Sequence, residues 1–263
     1  MSKIKKESQK FIPSNILEGM ISIKAVLEGR SIGVNNRKIE KILFDQEKCK
    51  SKSRELAFLK RMAGMHGFVI EYTDNTDIDA LTVGSTHGGI VAICSDRLID
   101  EFTSDKIKDN GFYVMLDGIE DPYNYGYALR SLYAAGVTAV IMPPRNWMIA
   151  AGVVCRASAG ASELFEMYTA DLFDAASCLK EQGYTIAAAD KSDRSTPLFD
   201  VSLQVPLLLI VGGEKRGITK PLLDISDVIV ELPYGRRFPA ALSAASAASI
   251  LAYEIFRNNY ERT

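Results

Sequence analysis

The chain of 263 residues has two histidines, one tryptophan and four cysteines. With only His66 and His87 available, neither a His-built metal centre nor a Ser-His-Asp triad has a motif to rest on, so no metal is expected. The cysteines, Cys49, Cys94, Cys155 and Cys178, are scattered, and no two stand as C-x-x-C. That spacing argues for reduced thiols over a disulfide framework or a zinc ribbon. No apolar run is long enough to cross a bilayer, so no membrane partner is expected. The opening residues, Met-Ser-Lys-Ile-Lys-Lys, are basic but lack the apolar stretch of a secretory signal, and the expected location is cytoplasmic. Internal repeats and low-complexity tracts are also missing.

Net charge is −2, which by itself does not announce a nucleic-acid partner. The distribution says more. Residues 1–61 hold 15 Lys and Arg against 7 Asp and Glu, while the remainder holds 16 against 26. A basic first part is compatible with a surface that touches phosphates, although charge alone fits a solvated basic helix equally well.

Two units are expected, 1–103 and 111–263, separated by the polar stretch Thr103–Asn110. In the first, Ile16–Leu27 and Ser53–Met65 carry helical patterns. Lys41–Phe44, Phe68–Tyr72 and Gly89–Ser95 read as strands. The second alternates regularly. Phe112–Leu116, Ala139–Met142, Thr185–Ala189, Leu207–Val211 and Asp227–Glu231 are apolar strands. Asn124–Ala135, Trp147–Ala157, Asp171–Gln182 and Ser243–Asn258 are helices. Nearly continuous apolar strands alternating with helices predict an α/β domain with a parallel sheet covered on both faces.

Three stretches can carry chemistry. In Leu207–Gly217, a buried strand ends in Gly212-Gly213-Glu214. Ligands of parallel sheets sit beyond the carboxyl ends of strands, where glycine lets backbone come close. The spacing is neither a P-loop nor G-x-G-x-x-G; the alternative is a glycine turn with a surface Glu. In Leu116–Gly136, Asp121-Pro122 and Asn124 open a helix, and Arg130 follows nearly two turns later, expected on the same side as Asn124. The pair could hold a phosphate or a developing oxyanion. A helix cap at Asn124 and a surface salt bridge at Arg130 are the structural alternatives. In Val230–Glu254, a strand ends at Leu232-Pro233, a basic loop follows, and an Ala/Ser-rich helix begins. Its small residues suit a close helix contact, the wall of a cofactor pocket, or both.

Taken together, these stretches resemble the SpoU/TrmH family of the SPOUT methyltransferase superfamily. Asp121-Pro122-Tyr123-Asn124-Tyr125-Gly126 with Arg130 and Gly136 is similar to its first motif. Ile210-Val211-Gly212-Gly213-Glu214 with Gly217 is similar to the second. Glu231-Leu232-Pro233, with Leu242 in a helix running to Tyr253-Glu254, is similar to the third. Arg156-Ala157-Ser158-Ala159-Gly160-Ala161 resembles a further family segment. Thr86-His87-Gly88-Gly89-Ile90-Val91-Ala92 more weakly resembles the end of the family's substrate-binding domain. The resemblance implies a C-terminal SPOUT domain with a deep trefoil knot, preceded by a small αβ RNA-binding domain. It implies S-adenosylmethionine as cofactor, held by Gly212, Gly213, Leu232 and Leu242. The implied partners are rRNA or tRNA and a second copy of the chain in a homodimer. The implied reaction is methylation of a ribose 2′-hydroxyl.

Arg130, Asn124, Glu214 and Ser243 are the catalytic candidates under this resemblance. A guanidinium does not deprotonate in proteins, so Arg130 is expected to stabilise a developing alkoxide while a phosphate or water takes the proton. Asn124 would orient it, and Glu214 would pair with a cation or position RNA. One departure stands out. Where the family's third motif commonly reads Ser-Leu-Asn-Val-Ser, this chain has Ala241-Leu242-Ser243-Ala244-Ala245, so Ser243 replaces the motif Asn with a shorter reach. The rival readings are an RNA-binding relative that has lost efficient methyl transfer and a Rossmann-type methyltransferase. The latter lacks its glycine-rich loop after the first strand of the second unit.

Overall fold

The computed structural model describes residues 15–82, 87–144 and 150–260. The expectations for Thr86, Trp147 and the basic N-terminal segment 1–14 lie outside the described residues.

The first unit begins with strand β1 (Ile16–Glu18), helix α1 (Gly19–Ser31) and strand β2 (Ile39–Asp45). Helix α2 (Ser53–His66), strand β3 (Val69–Thr73), helix α3 (Asn75–Leu81) and strand β4 (Ile90–Cys94) complete it. Its sheet has the order β1-β4-β2-β3, with only the β2–β3 pairing parallel. The helix expected over Ile16–Leu27 is corrected at its start. Ile16 and Leu17 are buried and pair with Ile93 and Ala92, so these apolar residues serve the sheet before the helix begins.

The second unit opens with strand β5 (Asp100–Glu101), strand β6 (Phe112–Asp117), helix α4 (Pro122–Ala134) and strand β7 (Ala139–Met142). Helices α5 (Ala151–Ala157) and α6 (Ala161–Leu164), strand β8 (Glu166–Thr169), helix α7 (Leu172–Glu181) and strand β9 (Thr185–Ala189) follow. The chain finishes with strands β10 (Thr196–Pro197) and β11 (Leu207–Gly212), helix α8 (Lys220–Ile225), strand β12 (Val228–Glu231) and helix α9 (Ala244–Asn259). The eight strands run in the order β10-β12-β9-β11-β6-β7-β8-β5, every pairing parallel.

Alternation along the central strands builds two cores. Phe112, Val114, Leu116, Leu207, Leu209 and Val211 face α4 and α9. Tyr113, Met115, Leu208 and Ile210 face α7 and α8. A sheet covered on both faces needs strands that are apolar at every position, which is why these segments read as unbroken aliphatic runs.

The chain enters the larger sheet earlier than the polar stretch 103–110 suggested. Asp100 and Glu101 already pair with Tyr168 and Thr169 of β8, and Phe102 belongs to the α7-side core. In the other direction, α5 and α6 reach back to the first unit: Cys155 sits in that unit's core with Leu17, Ile23 and Cys94. A side chain at Gly29 of α1 would collide with the Glu163 carbonyl oxygen, so only glycine permits this approach. The seam is also polar. Arg37 Nε meets Glu163 Oε2 at 3.2 Å, with both side chains almost fully buried. The Asn35 amide donates to the same carboxylate. Arg97 donates to the carbonyl oxygens of Ser162, Val34 and Phe165. Burial pushes the Cys94 and Cys155 thiols up to about 12, so neither is poised as a nucleophile.

Candidate active site

The carboxyl ends of β9, β11 and β12 open into a cavity of about 410 Å³. Gly212, Gly213, Glu214, Leu232 and Leu242, all singled out in the sequence, line it together. The local geometry explains the glycines. A Cβ on Gly213 would run into the Gly118 carbonyl oxygen at the end of β6, and one on Gly212 would strike Gly217 and the Ile218 nitrogen. The Gly213 N–H donates to Asp117 O at 2.6 Å, and the Gly217 N–H returns to Gly213 O at 3.0 Å. The loop after β11 is thus a tight turn pressed against the neighbouring strand end.

Asn124 does not cap α4. Asp121 does, accepting from the Tyr123 N–H at 3.0 Å, and Pro122 occupies the first turn, where its missing N–H costs nothing. Asn124 is left to donate from Nδ2 to Glu214 Oε1 at 3.0 Å. The same carboxylate oxygen accepts from the Ala244 N–H at 3.4 Å. Glu214 therefore ties α4 to the first turn of α9, where a carboxylate also suits the positive end of the helix dipole. Asn124, Glu214, Lys215 and Ala244 line a smaller cavity of about 110 Å³ alongside.

Ser243 is the N-cap of α9. Its Oγ accepts from the Ser246 N–H at 3.2 Å and lies 3.0 Å from the Ser246 hydroxyl. Leu242 is fixed by its N–H to the Tyr234 hydroxyl at 3.1 Å.

Arg130 stands apart from these residues. It lies exposed on α4, lines neither cavity, and has no hydrogen bond or ion pair among the described residues. The expectation that it shares a side with Asn124 is corrected by helix geometry. Six residues at ~100° each leave the two directions about 120° apart. The surface salt bridge considered as its alternative is also absent among the described residues. His87 belongs to the first unit, where Nε2 lies 2.7 Å from Asp79 and Nδ1 accepts from the Gly89 N–H at 2.9 Å.

The sequence reading did not assign several lining residues to the site: Asp190 and Lys191 beyond β9, Glu231 of the third motif at the end of β12, and Tyr234 and Phe238 from the following loop. Glu231 is half-buried and accepts from the Ser195 hydroxyl at 3.0 Å. The signal was available. The carboxyl-end rule that drew attention to Gly212 applies equally to Asp190, the first residue after the strand at 185–189.

Comparison with known proteins identifies the chain's relatives. The SpoU rRNA Methylase family profile matches residues 111–253. A TrmH family tRNA/rRNA methyltransferase of Staphylococcus haemolyticus is 30% identical over 199 residues, 73% of this chain and 79% of the relative. A solved RNA 2′-O ribose methyltransferase matches with a TM-score of 0.74 at 20% identity, covering 92% of this chain and 88% of that one. An AdoMet-bound rRNA methyltransferase from Sinorhizobium meliloti matches at 0.73 and 20% identity, covering 94% and 88%. The structural matches speak for a shared fold, and the family profile, which spans β6 to α9 and every strand end of the cavity, settles membership: the chain belongs to the SpoU rRNA methylase family.

Proposed function

We propose that this chain transfers the methyl group of S-adenosylmethionine to a ribose 2′-hydroxyl of rRNA or tRNA. The observation that carries this reading is the cavity at the ends of β9, β11 and β12, into which the glycine turn of 212–217 and the segment 232–242 both project. Its size suits a small-molecule site, for which ~300–1,000 Å³ is usual. Its lining suits this cofactor: Val211, Leu232, Leu242 and Leu251 are apolar, Tyr234 and Phe238 offer aromatic surface, and Asp190 and Glu231 offer acceptors for hydroxyl or ammonium groups. When bound, the cofactor supplies an activated methyl group on a sulfonium.

The protein's part is alignment, because an in-line displacement needs the oxygen, carbon and sulfur in one line. Glu214, braced by Asn124 and the Ala244 N–H, positions groups at the cavity edge. Arg130 stabilises the alkoxide as the hydroxyl loses its proton. In a single chain Arg130 lines neither of the two strand-end cavities, so the reading requires a second copy to complete the site. The surface for it is at hand: Tyr127 on α4 and Ile250, Tyr253 and Phe256 on α9 are exposed, on two helices packed against each other. The homodimer is therefore part of the proposal. So is the trefoil knot, supported by β12 lying beyond β9 while α9 returns to pack on β11 and α4. Residues 1–103 serve as the RNA-binding unit, and an RNA substrate puts the activity in the cytoplasm.

The test is methyl incorporation from labelled S-adenosylmethionine into unmodified RNA, followed by alkaline hydrolysis. A ribose 2′-O-methyl group leaves an alkali-resistant dinucleotide. Label released as a methylated base, or no cofactor binding by calorimetry, would refute the reading. Sedimentation at micromolar concentration should give a dimer, and a monomer would remove the second copy from the site.

A further inference from the structure

The second unit is acidic overall, yet three of its arginines lie on the two loops that line the large cavity. Arg216 lies on the loop after β11, between Glu214 and Gly217, and both of those neighbours line the large cavity. Arg236 and Arg237 lie on the loop after β12, between Tyr234 and Phe238, which also line it. All three arginines are exposed, and none has a hydrogen bond or ion pair among the described residues. Two of the nearby acids are already engaged. Glu214 is engaged by Asn124 and the Ala244 N–H, and Glu120 is paired with Lys215 at 2.8 Å. By contrast, Arg37, Arg156 and Arg257 each meet a carboxylate within 3.2 Å.

We propose that Arg216, Arg236 and Arg237 form a phosphate-binding rim around the cavity mouth, a second RNA surface separate from residues 1–103. The inference rests on the methyltransferase reading and deepens it. The β11 and β12 strands flank β9, so their loops begin ~10 Å apart and straddle the opening. A guanidinium binds phosphate through two parallel hydrogen bonds, and three of them on opposite walls would hold the sugar-phosphate backbone across the cavity. Residues 1–103 supply affinity, whereas a rim at the cavity sets which ribose comes to the methyl donor.

The experiment uses the full chain and an unmodified, fluorescein-labelled RNA transcribed in vitro. Affinity is measured across a salt series for the native chain, Arg236→Ala/Arg237→Ala and Arg236→Lys/Arg237→Lys, with S-adenosylmethionine binding followed by calorimetry. The Ala pair should bind RNA roughly tenfold or more weakly, the scale for losing a charge-assisted hydrogen bond. Its plot of log affinity against log salt should flatten by about 1.4, from ~0.7 per single-strand phosphate contact. The Lys pair should keep the slope, and cofactor affinity should be unchanged throughout. An unaltered slope in the Ala pair overturns the rim, as does a parallel loss of cofactor affinity, which would make the arginines supports of the cavity wall. A native chain that fails to bind the cofactor would instead refute the methyltransferase reading, so the two failures are distinguishable.

Discussion

Charged groups buried at the seam between the two units all have partners, whereas the arginines around the cavity do not. At the seam Glu163 receives both Arg37 and Asn35, and Arg97 is spent on three carbonyl oxygens. Around the cavity, Arg216, Arg236 and Arg237 stand exposed and uncompensated. Arg130, on the exposed face of α4, is in the same condition. A buried charge is costly unless a counter-charge or hydrogen bonds compensate it, so the seam's arginines report on folding. An exposed charge has no such obligation, and its position beside a cavity points to a ligand. Residue type alone does not make this distinction; burial and partners do.

Breaking the seam should give the largest effect. Arg37→Met leaves Glu163 buried without its cation, and urea unfolding should report a loss of about 3–5 kcal/mol. Adding Glu163→Leu should recover most of it, because two apolar side chains remove the unpaired charge. If Arg37→Met melted like the native chain, the Arg37–Glu163 pair would not hold the seam together. At the opposite pole, Arg130→Ala should leave the melting curve alone and lower single-turnover methyl transfer by roughly 10²–10³-fold, the scale for one preorganised donor. Near-native turnover would take Arg130 out of the chemistry. Ser243 lies between these extremes. Its cap on α9 predicts that Ser243→Ala costs about 1 kcal/mol by thermal melting, while Ser243→Asn, also a good cap, costs little. Equal losses for both would show that the cap contributes nothing.

Much of this was legible in the chain. The aliphatic runs at 112–116 and 207–211 predict a doubly covered sheet because nothing else accommodates apolar residues at every position. The glycines and leucines of the cavity follow from the strand-end rule and the family motifs. Other features are invisible locally. Residues Ile16 and Leu17 suit a helix as well as a strand, and only the partner β4 decides. The Asn124–Glu214 bond joins residues 90 positions apart. The sharing of Cys155 with the first unit's core depends on how two units dock, which no periodicity encodes. Arg130 illustrates the limit most clearly. Its motif position is recognisable, yet its surroundings in a single chain are solvent.

The two shortest strands of the large sheet have a consequence for how the molecule meets copies of itself. A parallel sheet ends in two rows of unpaired backbone groups, and such rows recruit further strands unless guarded. One edge here is Asp100–Glu101, an exposed pair of negative charges, and the other is Thr196–Pro197, where proline offers no N–H. Both margins are sealed against lateral growth, the route to fibrous aggregates. Within this unit, association is left to the helical faces, where α4 and α9 expose Tyr127, Ile250, Tyr253 and Phe256.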